Sequence, residues 1–269
     1  MQYSKDLESI QTPGPSSARC GCCGSAVFLG RSKEGFCSFC EAHYSYDENS
    51  PINPSLEKLS GIQAMLEAGK VEDAEKGLDA LVPGSSDIGL LFGAANIYKT
   101  LSDMKYYDLN YNGKGFMDEN SGNIYHSLDL TSKYKEMFYK AISMIEAQTK
   151  GSPDDRLVYL GFMSYMQLKR TLDAERMLSL MKAKKNPERQ YAEMVYKVEL
   201  GREDGYREAL ELMRKGNPNA VYYLARYYAG KRRLKEAKAI LEKLVSKIRM
   251  PDAVFLLHKV NRVIEETRL

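Results

Sequence analysis

Two pairs of cysteines open the chain's chemistry. Cys20-Gly-Cys22-Cys23 and Cys37-Ser-Phe-Cys40 are CxxC pairs separated by 13 residues, and all five cysteines of the chain fall between Cys20 and Cys40. A CxxC turn folds back on itself so that both thiolates face one ion, and four thiolates complete a tetrahedral shell around Zn2+ at about 2.3 Å. Cys20, Cys23, Cys37 and Cys40 are therefore the predicted ligands. A closed shell leaves no coordination position open, so the ion is structural and not a Lewis acid. Iron in the same four thiolates is a second reading and a redox dithiol a third, with Cys22 or His43 able to replace one ligand. A segment of about 25 residues buries too little to fold alone, so the metal supplies its folding free energy.

The residues between the pairs, SAVFLGRSKEGF, alternate well enough for two short strands with Ser32 to Gly35 as the turn. Gly24 follows the first pair, where a tight turn needs a residue free to take positive φ. This layout, and FCSFC above all, resembles the zinc-ribbon domains of bacterial proteins. Glu41 departs from that pattern, since it stands where those ribbons usually carry glycine. Arg19, Arg31 and Lys33 lend the ribbon a modest basic edge.

A second set of ligand-type residues lies far downstream. Asp108 to Glu119, DLNYNGKGFMDE, fits the D-x-N-x-N-G-x5-E template, with Asp108, Asn110, Asn112 and Glu119 at the ligand positions and Gly113 at the sharp turn. Ca2+ is the cation such a loop takes. Gly115 and the run Asn120 to Asn123 depart from the template, and an Asn- and Gly-rich surface loop is the competing reading.

Elements must position these groups. Residues 1–18 read as a flexible lead-in containing TPGPSS, 19–45 as the ribbon, 46–54 as a linker with Pro51 and Pro54, and 55–269 as helices. Leu59, Ile62 and Leu66 share one helical face. A second helix over Val71 to Leu81 ends at Val82-Pro83-Gly84. Helix pairs of this size recur: Leu224, Ala225 and Tyr228 precede Ala237 and Leu241, and Leu160 and Gly161 precede Ala174 and Leu178 across a turn that reads one residue longer. Asp87 to Met104 and Ser132 to Glu146 form a pair around an insertion near 105–125, and Pro251 to Glu266 is a capping helix with Asn261, Arg262, Glu265 and Glu266 outward. These offsets resemble the tetratricopeptide repeat. The fold class predicted is mainly α, an antiparallel helical-hairpin array behind a small β ribbon. The resemblance implies a groove lined by the first helix of each pair, with Tyr222 and Arg226, and from the earlier copy Phe162 and Tyr165, facing a partner.

Charge and composition narrow the partner. Lys and Arg total 39 against 36 Asp and Glu, a balance too even to argue for nucleic acid or membrane by itself. Residues 1–150 carry 14 basic and 20 acidic side chains and residues 151–269 carry 25 and 16, so an acidic ligand belongs to the second half. MQYSKDLESIQ has no secretory pattern and no run reaches the roughly 20 apolar residues of a membrane span. A cytoplasmic protein is expected. His43, His126 and His258 are far apart and accompany no nucleophile motif, and GNPNA and YNGKG lack the lysine of a phosphate-cradling loop. The expectation is a non-enzymatic scaffold for a protein or peptide. A transcription-type factor that binds nucleic acid through the ribbon and the basic half is the alternative, and a thiol redox protein a minor one.

Overall fold

The computed structural model describes residues 17–20, 26–28, 34–37, 41, 43–45, 54–107, 109, 124–150, 154–182, 186–248 and 250–267. Cys22, Cys23 and Cys40, the calcium-loop residues Asp108, Asn110, Asn112 and Glu119, and most of the insertion near 105–125 lie outside the described residues.

The described residues are mainly helical. Helices α1 (Pro54–Glu67) and α2 (Val71–Leu81), α3 (Ile88–Tyr107) and α4 (Ile124–Thr149), α5 (Asp155–Gln167) and α6 (Thr171–Leu180), α7 (Pro187–Glu199) and α8 (Glu203–Arg214), and α9 (Pro218–Gly230) and α10 (Leu234–Lys247) pack as hairpins. A single helix, α11 (Pro251–Thr267), follows. From α3 onward the second helix of each pair also packs on the first helix of the next. The first helices α5, α7, α9 and α11 touch in succession, as α1 and α3 do, and α11 packs back on α3. That return brings Tyr107 against Phe255 and His258, with ring centroids 6.4 and 5.5 Å apart. The array therefore curls until its last helix meets its third. On α11, Arg262, Glu265 and Glu266 are exposed as expected, whereas Asn261 is half-buried.

One turn closes four of the hairpins and recurs after α8, where Gly216 has positive φ and the N–H groups of Gly216 and Asn217 bond to the carbonyls of Met213 and Leu212. At the ends of α1, α5, α7 and α9 the residue with positive φ is Gly69, Lys169, Gly201 or Arg232. In each turn this residue's N–H bonds back to the carbonyl three before it, and the next N–H bonds to the carbonyl five before its own position: Lys70 to Met65, Arg170 to Tyr165, Arg202 to Lys197 and Arg233 to Tyr228. This is the Schellman arrangement, which satisfies the otherwise orphaned carbonyls of a helix end. Every one of these turns has three residues, so the copy at 155–180 has no extra residue: Gly161, not Leu160, is the counterpart of Leu224. The turns between hairpins add a second device. Asp154, Asn186 and Asn217 accept a backbone N–H at the starts of α5, α7 and α9, with Pro187 and Pro218 at the first helical position.

Two findings differ from the sequence reading. Helix α4 starts at Ile124, eight residues before Ser132, because Ser102 and Ser127 exchange hydroxyl-to-carbonyl bonds at 2.9 and 3.0 Å and so hold the early turns of α4 on α3. The strands also pair differently. β1 (Ser17–Arg19) pairs antiparallel with β2 (Ala26–Phe28), and β3 (Glu34–Phe36) with β4 (His43–Ser45). Each hairpin thus encloses one CxxC pair, whereas β2 and β3 belong to different sheets.

The pair α7–α8 escaped the repeat reading because Tyr206 stands where Ala74, Ala174 and Ala237 sit in the other second helices. Its close approach is made one residue earlier, at Gly205. A Cβ there would lie 2.6 Å from Lys197 Cβ and 2.7 Å from the backbone nitrogen of Val198. Gly205→Ala is expected to destabilise the array by about 1–3 kcal/mol, since backbone cannot yield as a flexible side chain does. Gly230→Ala, with nothing within 4 Å of the new methyl, should not destabilise. Urea unfolding of the two variants checks the contrast.

Candidate functional site

The inner face of the array gathers around a residue from outside it. Glu41, between β3 and β4, is buried at 8% exposure and has φ +64°. Glycine takes that conformation without cost, and it is uncommon for a side chain with a Cβ. The carboxylate sits between two helices. Tyr191 on α7 donates to it at 2.5 Å and Tyr223 on α9 at 3.3 Å, and the two rings meet edge to face with centroids 6.1 Å apart. A second contact fixes the same hairpin: Asn219 on α9 donates its amide to the Cys37 carbonyl at 3.0 Å. Cys37 is fully buried and Cys20 nearly so.

Glu41 is held without a direct counter-ion. Among the described residues no cation lies within ion-pair distance of it, and the nearest, Arg226, spends its guanidinium on Glu199 at 2.7 Å. Burial therefore pushes the Glu41 carboxyl up to about 7, although the Tyr191 and Tyr223 hydroxyls pull it down. The same burial, with Glu41 beside them, drives both tyrosines well above their ordinary range.

A charged strip continues from this pocket. Arg226 lies over the rings of Tyr222 and Tyr223, 5.6 and 5.7 Å from their centroids. Lys169 Nζ stands 3.6 Å from Glu199, and Arg226 beside it, together with burial, lowers the Lys169 pKa. Across the face Lys99 on α3 pairs with Asp252 in the first turn of α11 at 2.8 Å and with Asp103 at 3.6 Å. Burial pushes the Asp252 carboxyl upward, but Lys99, and beyond it Arg226 and Lys169, outweigh that and hold it below the usual range. Asp103 goes the other way, because burial there outweighs its longer contact with Lys99. A cavity of about 30 Å³ remains, lined by Glu41, Asn96, Lys99, Thr100, Tyr222 and the first residues of α11. That is room for about one water molecule.

The four groove residues expected from sequence are only partly together. Tyr222 and Arg226 both belong to the inner face. Tyr222 is buried there, and Arg226 is engaged by Glu199. Phe162 is fully buried in the packing of the array. Tyr165 is also buried and donates to Glu146 at 2.8 Å, with Arg176 on the same carboxylate. Sequence reasoning missed Tyr223 and Asn219 on α9 and Tyr191 on α7, of which the repeat offers a signal for Tyr191. It lies ten positions before Gly201, as Tyr222 lies ten before Arg232 and Tyr159 ten before Lys169. Aligning the copies on their turns, rather than on their small residues, would have found it.

No protein-family model, no curated protein and no solved structure matches the chain. The site's chemistry is read from its residues alone.

A double-mutant cycle tests the electrostatic strap between α3 and α11. Lys99→Met and Asp252→Asn should each destabilise, and the double variant should cost less than their sum by about 0.5–3 kcal/mol. Thermal or urea unfolding measures the coupling.

Proposed function

We propose that this chain is a non-enzymatic interaction scaffold, a tetratricopeptide-like array that holds a protein or peptide partner, with a structural Zn2+ ribbon as its N-terminal module. The observation that carries the reading is the way the inner face already holds a non-helical stretch of chain. Two tyrosine hydroxyls meet an acidic side chain and an asparagine amide meets a peptide carbonyl. These are contacts of the kind by which an array can grip a peptide. An acidic partner suits this chemistry best.

The zinc assignment rests on two hairpins of one plan. Each runs strand, Cys-x-x-Cys, two residues, strand, so that Cys20 and Cys37 occupy equivalent positions, and so do Gly24 and Glu41. Four thiolates supplied by two such hairpins would form a closed structural shell. Ca2+ in the Asp108 to Glu119 loop remains a separate, lesser proposal on its sequence template.

The nucleic-acid reading is weakened by where the positive charge goes. Arg170, Arg202, Arg207, Arg233 and Arg262 each pair with a carboxylate two to four residues away on their own helix or its preceding turn. Five of the basic side chains thus have a carboxylate beside them and are not free to meet phosphate alone, although the net excess of the second half is unchanged by such pairing.

Elemental analysis of protein purified without chelator should find about one zinc per chain, lost in Cys23→Ser, as expected for one closed four-thiolate site. Absence of both zinc and iron would overturn the ribbon assignment. Fluorescent single- and double-stranded oligonucleotides should not bind at about 50 mM salt, where any phosphate-driven association is strong. Tight binding that falls steeply with added salt would put the nucleic-acid reading first. Calorimetry at millimolar Ca2+ checks the loop, and heat abolished by Glu119→Ala is the supporting result.

A further inference from the structure

The contact between Glu41 and the array has the marks of an occupied ligand site. An ordinary interface between two parts of a fold is apolar at its centre and leaves few polar groups unmatched. Here the central group is a carboxylate, removed from water, with two neutral hydroxyls as its described partners and no cation within ion-pair distance among the described residues. Its backbone is left-handed where glycine would sit without cost. Beside it Asn219, 1% exposed, uses its amide N–H on the Cys37 carbonyl, while its own Oδ1 finds no hydrogen-bond partner among the described residues. Desolvation, backbone strain and an unmatched acceptor all weaken this dock. The two tyrosines on the array side are, by contrast, well supported. Tyr191 and Tyr223 support each other edge to face, and the Tyr223 ring lies against Arg226, itself fixed by Glu199.

A rigid receptor facing a strained, costly occupant is the arrangement expected of a displaceable one. We propose that Glu41 is an intramolecular stand-in ligand: it occupies the inner face between α7 and α9, and a partner peptide presenting its own glutamate or aspartate to Tyr191 and Tyr223 displaces it. The inference rests on the scaffold reading and adds to it the place where the partner binds, the side chain it must offer and the segment that competes. The three groups impose a definite chemistry. The tyrosines take a carboxylate, Asn219 takes a backbone carbonyl and, with its unmatched Oδ1, accepts a backbone N–H as well. Arg226 lies over the Tyr223 ring beside these groups. A partner carrying an extended acidic stretch meets all of these requirements. A partner that offers no carboxylate meets none but the amide.

Three full-length proteins test this: the wild type, Glu41→Gly, and a Tyr191→Phe/Tyr223→Phe double variant. Glu41→Gly removes the carboxylate and suits the left-handed backbone, so it loosens the dock without straining the hairpin. Hydrogen exchange should show the amides of 34–36 and 43–45 losing protection about tenfold or more in both variants, while α5, α7 and α9 keep theirs. The probe is a fluorescein-labelled hexaglutamate peptide. It should bind Glu41→Gly about tenfold or more tightly than the wild type, because the wild-type face is mostly occupied and apparent affinity falls with the open fraction. Adding Tyr191→Phe/Tyr223→Phe to Glu41→Gly should abolish that gain. Unchanged exchange in both variants overturns the latch. Release of the hairpin without a gain in probe binding, or a gain that survives loss of the tyrosine hydroxyls, overturns the docking site. Failure of the scaffold reading looks different: the latch opens and the probe binds as expected, yet cross-linking in the source cell joins no protein to the inner face.

Discussion

Much of this molecule turns on one carboxylate that has been carried from a four-cysteine module into a helical array. Glu41 is buried with no cation within ion-pair distance among the described residues, so its stability depends on the tyrosines of α7 and α9 being placed to donate to it. Those tyrosines are in turn held by the curl of the array, which stacks the first helices and aims ring hydroxyls inward. The left-handed backbone at Glu41 is tolerated only because the surrounding contacts determine it. Remove the array and nothing in the hairpin would favour glutamate over glycine at that position.

The curl itself comes from a repeated local event. A three-residue Schellman turn reverses the chain after α1, α5, α7 and α9, and an Asp or Asn cap restarts α5, α7 and α9. Two of the four left-handed residues, Lys169 and Arg232, are not glycine. Both stand at turns whose next residue, Arg170 or Arg233, pairs with an acid in the first turn of the following helix. These pairs are exposed and individually weak. Their structural consequence is to keep arginine on its own helix.

On the inner face the charges are arranged differently. Lys99, Asp252 and Asp103 tie α3 to α11, and Arg226, Glu199 and Lys169 tie α9 to the end of α7 and the α5–α6 turn. The concave surface raises the electrostatic stakes of each group, which is why Asp103 is pushed up and Asp252 held down although both face one lysine. A face so furnished is polar yet crowded, with space for a water molecule and contact area for a peptide.

Local pattern was enough to read the helices, since the 3.6-residue spacing of Leu59, Ile62 and Leu66, the Val71 to Leu81 helix and the Pro251 start of α11 all depend on near neighbours in sequence. The oddity of Glu41 was equally visible, as a glutamate where a turn wants glycine. What it does there was not. Phe162 and Tyr165, placed in the groove by the repeat resemblance, are buried, and so are Tyr159 and Met163, which stand where Tyr222 and Arg226 do once the copies are aligned on their turns. Tyr191 went unread because its pair, α7–α8, replaces the expected alanine with Tyr206 and shifts the close approach to Gly205. Sequence by itself determined that this is a string of helix pairs behind a paired-cysteine module, because periodicity, capping residues and CxxC spacing act over a few residues. Only the tertiary structure decided that the module's glutamate lies on the inner face between Tyr191 and Tyr223, because that contact joins residues 150 or more positions apart and no local preference encodes it.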